Sequence, residues 1–97
     1  MTNIYVLPRQ SRFRLGELYV TTAADRTLGP AEIARGLVRH AQGDWGDVSA
    51  DDRAANERGL VSGERLHSVY RDRNNVEFWI ITEWDRSVTT VLLPDDY

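Results

Sequence analysis

The stretch from Glu64 to Pro94 constrains the fold more than any other part of the chain. It reads ERLHSVYR, a polar turn DRNN, VEFWIITEW, a second turn at DR, and SVTTVLLP. β-Branched and aromatic residues dominate the three runs and turn residues separate them, so the pattern predicts three consecutive strands. In the middle run Val76, Phe78, Ile80, Thr82 and Trp84 share one face, and Glu77, Trp79, Ile81 and Glu83 share the other. Pairing that joins Leu66, Ser68 and Tyr70 to the first face keeps charge out of the core. A slip of one residue would bury Arg65, His67 and Arg71 instead. The first face is expected under helices. The second carries Arg65, His67 and Val69 beside Trp79 and Ile81.

Upstream, Ile4-Tyr5-Val6-Leu7, stopped by Pro8, reads as an edge strand or an ordered arm. Residues 12–22 read as a strand whose apolar phase slips at Gly16. A bulge there would keep Phe13, Leu15, Leu18 and Val20 on one face. Residues 23–29 read as a loop. Pro30 and Glu32 suit a helix start, and Ile33, Ala34, Leu37, Val38 and Ala41 recur at helical spacing up to a stop at Gly43. Ser49 is a good N-cap for a second helix over 50–62, closed by Gly63, with a thin apolar face of Ala50, Ala54 and Val61. The expectation is one small α+β domain over residues 1–97. It has strand–helix–helix–strand–strand–strand order, an antiparallel sheet and two helices on one face.

The chain has 97 residues, too few for two domains, and a net charge of −3. All twelve basic residues are arginine. An acidic total argues against gripping a phosphate backbone directly, although a local arginine patch is compatible with it. With no cysteine, there is neither a disulfide nor a thiolate for catalysis or metal binding. The segment MTNIYVLPRQ lacks the basic start and apolar stretch of a signal peptide, and no run reaches the roughly 18 apolar residues of a membrane span. A cytoplasmic location without membrane attachment is expected, and no cofactor is implied.

Two constellations could carry chemistry. His40, Asp44 and Asp47 lie close together, with Asp51 and Asp52 beyond, but their spacing matches no standard metal site. The structural reading has His40 as a cation near a helix C-terminus, Asp44 closing an Asx-turn and Trp45 filling the gap between helices. The second constellation is His67 with Arg65, Glu83 and Arg86, flanked by Arg71 and Arg73. It is the one grouping that resembles general acid–base chemistry on a phosphodiester. A solvated lattice of ion pairs accounts for the same residues. The outer face with Trp79 and Ile81 is either covered by the N-terminal segment or offered to a partner.

HAQGDWGDV at 40–48 and FWIITEWDRSVTTVLLPDDY at 78–97, with DDRAANERGLVSGERLHSVYR between them, resemble a family of small proteins encoded on bacterial plasmids, integrative elements and prophages. The resemblance covers about the last two-thirds of the chain and implies a mobile-element setting, with no activity and no catalytic residue. The expected topology is also similar to RelE/ParE-type toxins and, more loosely, to barnase-like ribonucleases.

Two functions follow as expectations. The first is a non-enzymatic protein that binds a host protein, such as a component of a defence system. It would use Trp79 and Ile81 or the acidic loop of Asp44, Trp45 and Asp47, and a second copy of the chain could take the same face. The alternative is a small ribonuclease or toxin using Arg65, His67, Glu83 and Arg86.

Overall fold

The computed structural model describes residues 11–97. It is an α+β fold in which one four-stranded sheet carries its helices on a single face. The elements are β1 (Glu17–Val20), α1 (Thr22–Thr27), α2 (Pro30–Ala41), α3 (Ala50–Ser62), β2 (Leu66–Arg71), β3 (Glu77–Thr82) and β4 (Val88–Leu92). A single 3-10 turn, Pro94–Asp96, follows. The strand order is β1-β4-β3-β2.

The three C-terminal strands form the expected antiparallel meander, in the expected register: Leu66, Ser68 and Tyr70 lie opposite Thr82, Ile80 and Phe78. The sheet is not wholly antiparallel, however, because β1 pairs with β4 in parallel. Connectivity gives the reason. The helices carry the chain back to the end where β1 began, so β2 runs in the same sense as β1. Two hairpins then bring β4 into that sense beside β1.

The strand expected over 12–22 is shorter than its pattern. Gly16 makes the expected bend, with φ of 67°, and a Cβ there would stand 2.3 Å from the Ser87 carbonyl oxygen. Leu15 is buried in the core, but Leu18 and Val20 remain exposed at the sheet edge. The loop expected at 23–29 is largely helix. Thr21 caps α1 by accepting from the Ala24 N–H at 3.1 Å, which ends β1 one residue earlier. The segment Ile4–Leu7 lies outside the described residues.

Helix α2 begins with Pro30 and stops before Gly43, as its pattern requires. Its Ile33 and Leu37 enter the core with Leu15, Leu28, Phe78, Ile80 and Val91. Helix α3 has the expected bounds, with Ser49 bonded to the Asp52 N–H at 3.0 Å and Gly63 left-handed. Its inward face differs. Asn56 and Gly59 are buried, whereas Val61 is 91% exposed. This helix docks through hydrogen bonds in place of an apolar stripe. The Asn56 amide donates to the His67 carbonyl at 2.8 Å and accepts the His67 N–H at 3.1 Å, as a neighbouring strand would.

Trp84 was expected on the inner face and is 66% exposed. Strand β3 ends at Thr82, and the chain turns outward through 83–87 before the alternation can place Trp84 inside. Phe78 and Ile80 are the centre of the core, at 2% and 0% exposure. Phe78→Ala is expected to cost about 3–5 kcal/mol, a large fraction of a small domain's stability. Chemical denaturation checks this, and a midpoint that barely moves contradicts the packing.

Candidate functional site

The two faces of the sheet differ in kind. The inner face holds a buried polar chain at its centre. His40 has no solvent exposure, and its Nδ1 lies 2.6 Å from Ser68 Oγ and its Nε2 2.9 Å from Thr82 Oγ1. Thr82 Oγ1 is 2.7 Å from Thr89 Oγ1, which donates to the Leu15 carbonyl at 2.6 Å. That last bond sets the direction of the next two, because a carbonyl can only accept. Thr89, having given its proton to Leu15, accepts from Thr82, and Thr82 accepts from Nε2–H. Burial, with repulsion from His67 and Arg86, lowers the His40 pKa to about 3. At neutral pH His40 is therefore uncharged, with Nδ1 free to accept from Ser68, and it is not the helix-end cation expected from its position.

The rings of Phe13 and Trp45 wall this histidine at 5.1 and 5.7 Å. Trp45 fills the gap between helices as expected. It is 1% exposed, and its indole N–H donates to Glu57 at 2.9 Å. Glu57 also takes the Arg12 guanidinium, at 2.9 and 3.1 Å. Asp44 closes the Asx-turn by accepting the Gly46 N–H at 3.2 Å, and it pairs with Arg39 at 2.7 Å. Gly46, with φ of 75°, lets residues 45–47 lie against β2: Val69 N–H donates to the Trp45 carbonyl, and Asp47 N–H donates to the Val69 carbonyl. The acidic loop is thus an edge cover for β2. Among the described residues no group of three His, Cys, Asp or Glu could hold a metal ion.

The outer face carries the other singled-out residues, and the structure separates them by accessibility. Ile81 is buried at 4% and does not offer the exposed apolar group read from the sequence. Trp79 is half-buried, with its indole N–H on Glu77 at 2.9 Å. Asp47, Arg71 and Glu77 extend this as a chain of ion pairs, at 3.8 and 3.1 Å, so the acidic loop and Trp79 border one surface. The unforeseen member is Tyr97. The turn after β4 folds the chain back, held by Asp96, which accepts from Thr21 Oγ1 at 2.6 Å and from the Leu93 N–H at 2.9 Å. The Tyr97 ring then lies edge-on to Trp79 at 5.7 Å, and its hydroxyl accepts from Arg65 at 2.6 Å. Tyr97 itself is 72% exposed.

The residues of the acid–base constellation are engaged by different neighbours. Arg65 pairs with Glu83 at 3.4 Å and donates to the Tyr97 hydroxyl at 2.6 Å. His67 packs its ring on Trp79 at 4.6 Å, and its Nε2 is sealed from solvent without a hydrogen-bond partner among the described residues. Burial lowers the His67 pKa, against the opposing pull of Asp52. The Arg86 guanidinium donates to the carbonyls of Glu64, Gly59, Glu83 and Trp84, at 2.6, 2.9, 3.1 and 3.3 Å. It closes the C-terminal end of α3 and is committed to backbone.

The lowered His40 pKa sets a pH dependence. The unfolded chain binds a proton near the ordinary value of 6.5, and the folded chain does not until about 3. Stability is therefore full above 6.5 and falls as pH drops through that window, by up to about 1.4 kcal/mol per pH unit. Well above the ordinary glutamate value of 4.5, carboxylates contribute little, and His67, whose pKa burial also lowers, adds a share of its own to the slope. Denaturation across that range is expected to show a positive slope that becomes shallower in His40→Gln, with the His67 share remaining. An equal slope in the variant contradicts a buried neutral His40.

No family model matches the chain, and no curated protein or solved structure matches it either.

Proposed function

We propose that this chain is a non-enzymatic binding protein whose outer sheet face engages another protein. The observation that carries the reading is the convergence of Trp79, Tyr97 and Arg65 on that face. Trp, Tyr and Arg are the residues that most often dominate binding energy, and here two of the three stand well exposed. Their positions are pre-set by Asp96 and Glu83, so little side-chain freedom is lost on docking. The resemblance to plasmid, integrative-element and prophage proteins makes a host protein the partner, with a defence-system component the kind of target that such an element must meet.

The ribonuclease alternative is disfavoured by the same geometry. A general base needs an accessible nitrogen, and one of the two His67 ring nitrogens, Nε2, is sealed. A phosphorane needs free cations, and Arg86 is held against four backbone carbonyls through Nη1 and Nη2. Tyr97→Ala and Arg65→Ala are expected to keep the wild-type unfolding midpoint within about 1 kcal/mol and to lose at least about tenfold in affinity for the protein captured from host extract. Purified wild-type protein should leave total RNA intact. Cleavage of RNA that disappears in His67→Ala or Arg65→Ala, with the domain still folded, overturns the proposal.

A further inference from the structure

One edge of the sheet is finished and the other is open. Beyond β2, residues 45–47 and the Asn56 amide take up backbone groups that would otherwise seek a strand. β1 ends the strand order on the other side, and among the described residues nothing pairs with its free side. The Glu17 and Thr21 N–H groups donate to the Ser87 and Val91 carbonyls at 2.9 and 3.0 Å. Alternate residues of a strand turn their backbone groups to opposite sides, so Glu17, Tyr19 and Thr21 face β4. The N–H and C=O groups of Leu18 and Val20 therefore point out of the sheet edge.

The side chains along this edge are apolar. Leu18 and Val20 share the helix-side face with the buried Thr89 and Val91, their partners on β4. They are nonetheless 39% and 38% exposed, so the helical layer stops short of them. Tyr19, on the other face, is 54% exposed. Residues 18–20 carry no charge, proline or bulge, the devices by which a monomer keeps an edge from pairing. The described chain enters elsewhere. The Arg12 N–H donates to the Ala41 carbonyl at 2.8 Å, and its guanidinium pairs with Glu57 of α3, the helix docked on β2.

We infer that β1 pairs antiparallel with β1 of a second copy of this chain, about a two-fold axis through Tyr19, joining the two sheets into one. A two-fold axis perpendicular to the sheet keeps helix-side residues opposite helix-side residues, and one register uses every outward backbone group. Leu18 exchanges both hydrogen bonds with the partner's Val20, and Val20 does the same with the partner's Leu18. Tyr19 meets the partner's Tyr19 in the non-hydrogen-bonded pair between them. The aliphatic side chains of the two copies then cover each other. A foreign strand would have to supply this pattern, whereas the chain already contains it. Glu17 comes opposite the partner's Thr21, whose hydroxyl donates to Asp96, so like charges approach only at the exposed rims, where salt screens them. The inference does not rest on the outer face as a binding site, and it leaves both copies of the Trp79–Tyr97 face open on the same side of the joined sheet.

Sedimentation equilibrium of the full chain, together with single cysteines, tests this. So short a pairing makes an interface at the small end of the range, and the protein is expected to pass from monomer to dimer between about 1 µM and about 1 mM. Leu18→Lys should keep the wild-type unfolding midpoint and stay monomeric throughout. The chain has no cysteine of its own, so Tyr19→Cys reports the register. Facing Cα atoms in the central pair stand about 4.5 Å apart, within disulfide reach, and mild oxidation is expected to give a covalent dimer. Leu18→Cys sets its two copies more than about 7 Å apart and should stay reduced. A monomer at every concentration overturns the inference, whether residues 1–10 or a strand of another protein takes the edge. A dimer that survives Leu18→Lys, or that Leu18→Cys locks and Tyr19→Cys does not, overturns it too. Each of these results leaves the outer-face proposal standing.

Discussion

The hydrogen-bonded chain from Ser68 through His40, Thr82 and Thr89 to the Leu15 carbonyl is the constraint on which the rest of the structure depends. It ties α2 to three adjacent strands and to the segment entering β1, all within the apolar interior. Each polar atom in it has a partner, and the removal of any one would leave a buried donor or acceptor unmatched, at about 1–3 kcal/mol. Dispersion and burial of Phe78, Ile80, Leu37 and their neighbours supply the larger driving force, but apolar contacts tolerate sliding. Directional bonds do not, so this chain gives the helical layer one position over the sheet. The whole inner face is thereby committed to structure.

The proposed binding function rests on the outer face and its borders. Both flanks of that face are finished by devices that cost no core area. The Asn56 amide and residues 45–47 satisfy the open edge of β2, which would otherwise pair with another chain. The segment after β4 returns over the face and places Tyr97 on Trp79. The consequence is a surface of aromatic rings and paired arginines, not a cleft with a free acid and base. Histidine sits on both faces, but the inner imidazole is used for architecture and the outer one is packed on an indole. The inner imidazole has no solvent exposure, and Nε2 of the outer one is sealed.

Much of this was legible in the sequence, and the division between what was and what was not is physical. The register of β2 and β3 followed from alternation, because a slip of one residue would have buried Arg65 and Arg71. The bounds of α2 and α3 followed from Pro30, Ser49 and Gly63, whose signals act within one turn. The parallel pairing of β1 was missed because it depends on the sense in which the helices return the chain, which no local pattern encodes. Trp84 was placed inside because alternation does not announce where a strand stops. Arg86 looked like a phosphate ligand because sequence shows its charge and hides the four carbonyls that occupy it. The Thr21 cap of α1 was a usable local signal that a strand-like run overshadowed. Tyr97 could not have been found, since a terminal aromatic acquires meaning only from the turn that folds it back.

The central claim is that a host protein docks on the face bearing Tyr97 and Trp79. Site-specific photo-crosslinking in living host cells tests it most directly. A benzophenone amino acid would replace Tyr97, which is exposed over that face, or Arg35, which is exposed on α2. The account predicts a discrete protein adduct from position 97 and none from position 35. Crosslinking from position 35 alone, or crosslinking of position 97 to RNA and not to protein, would contradict it.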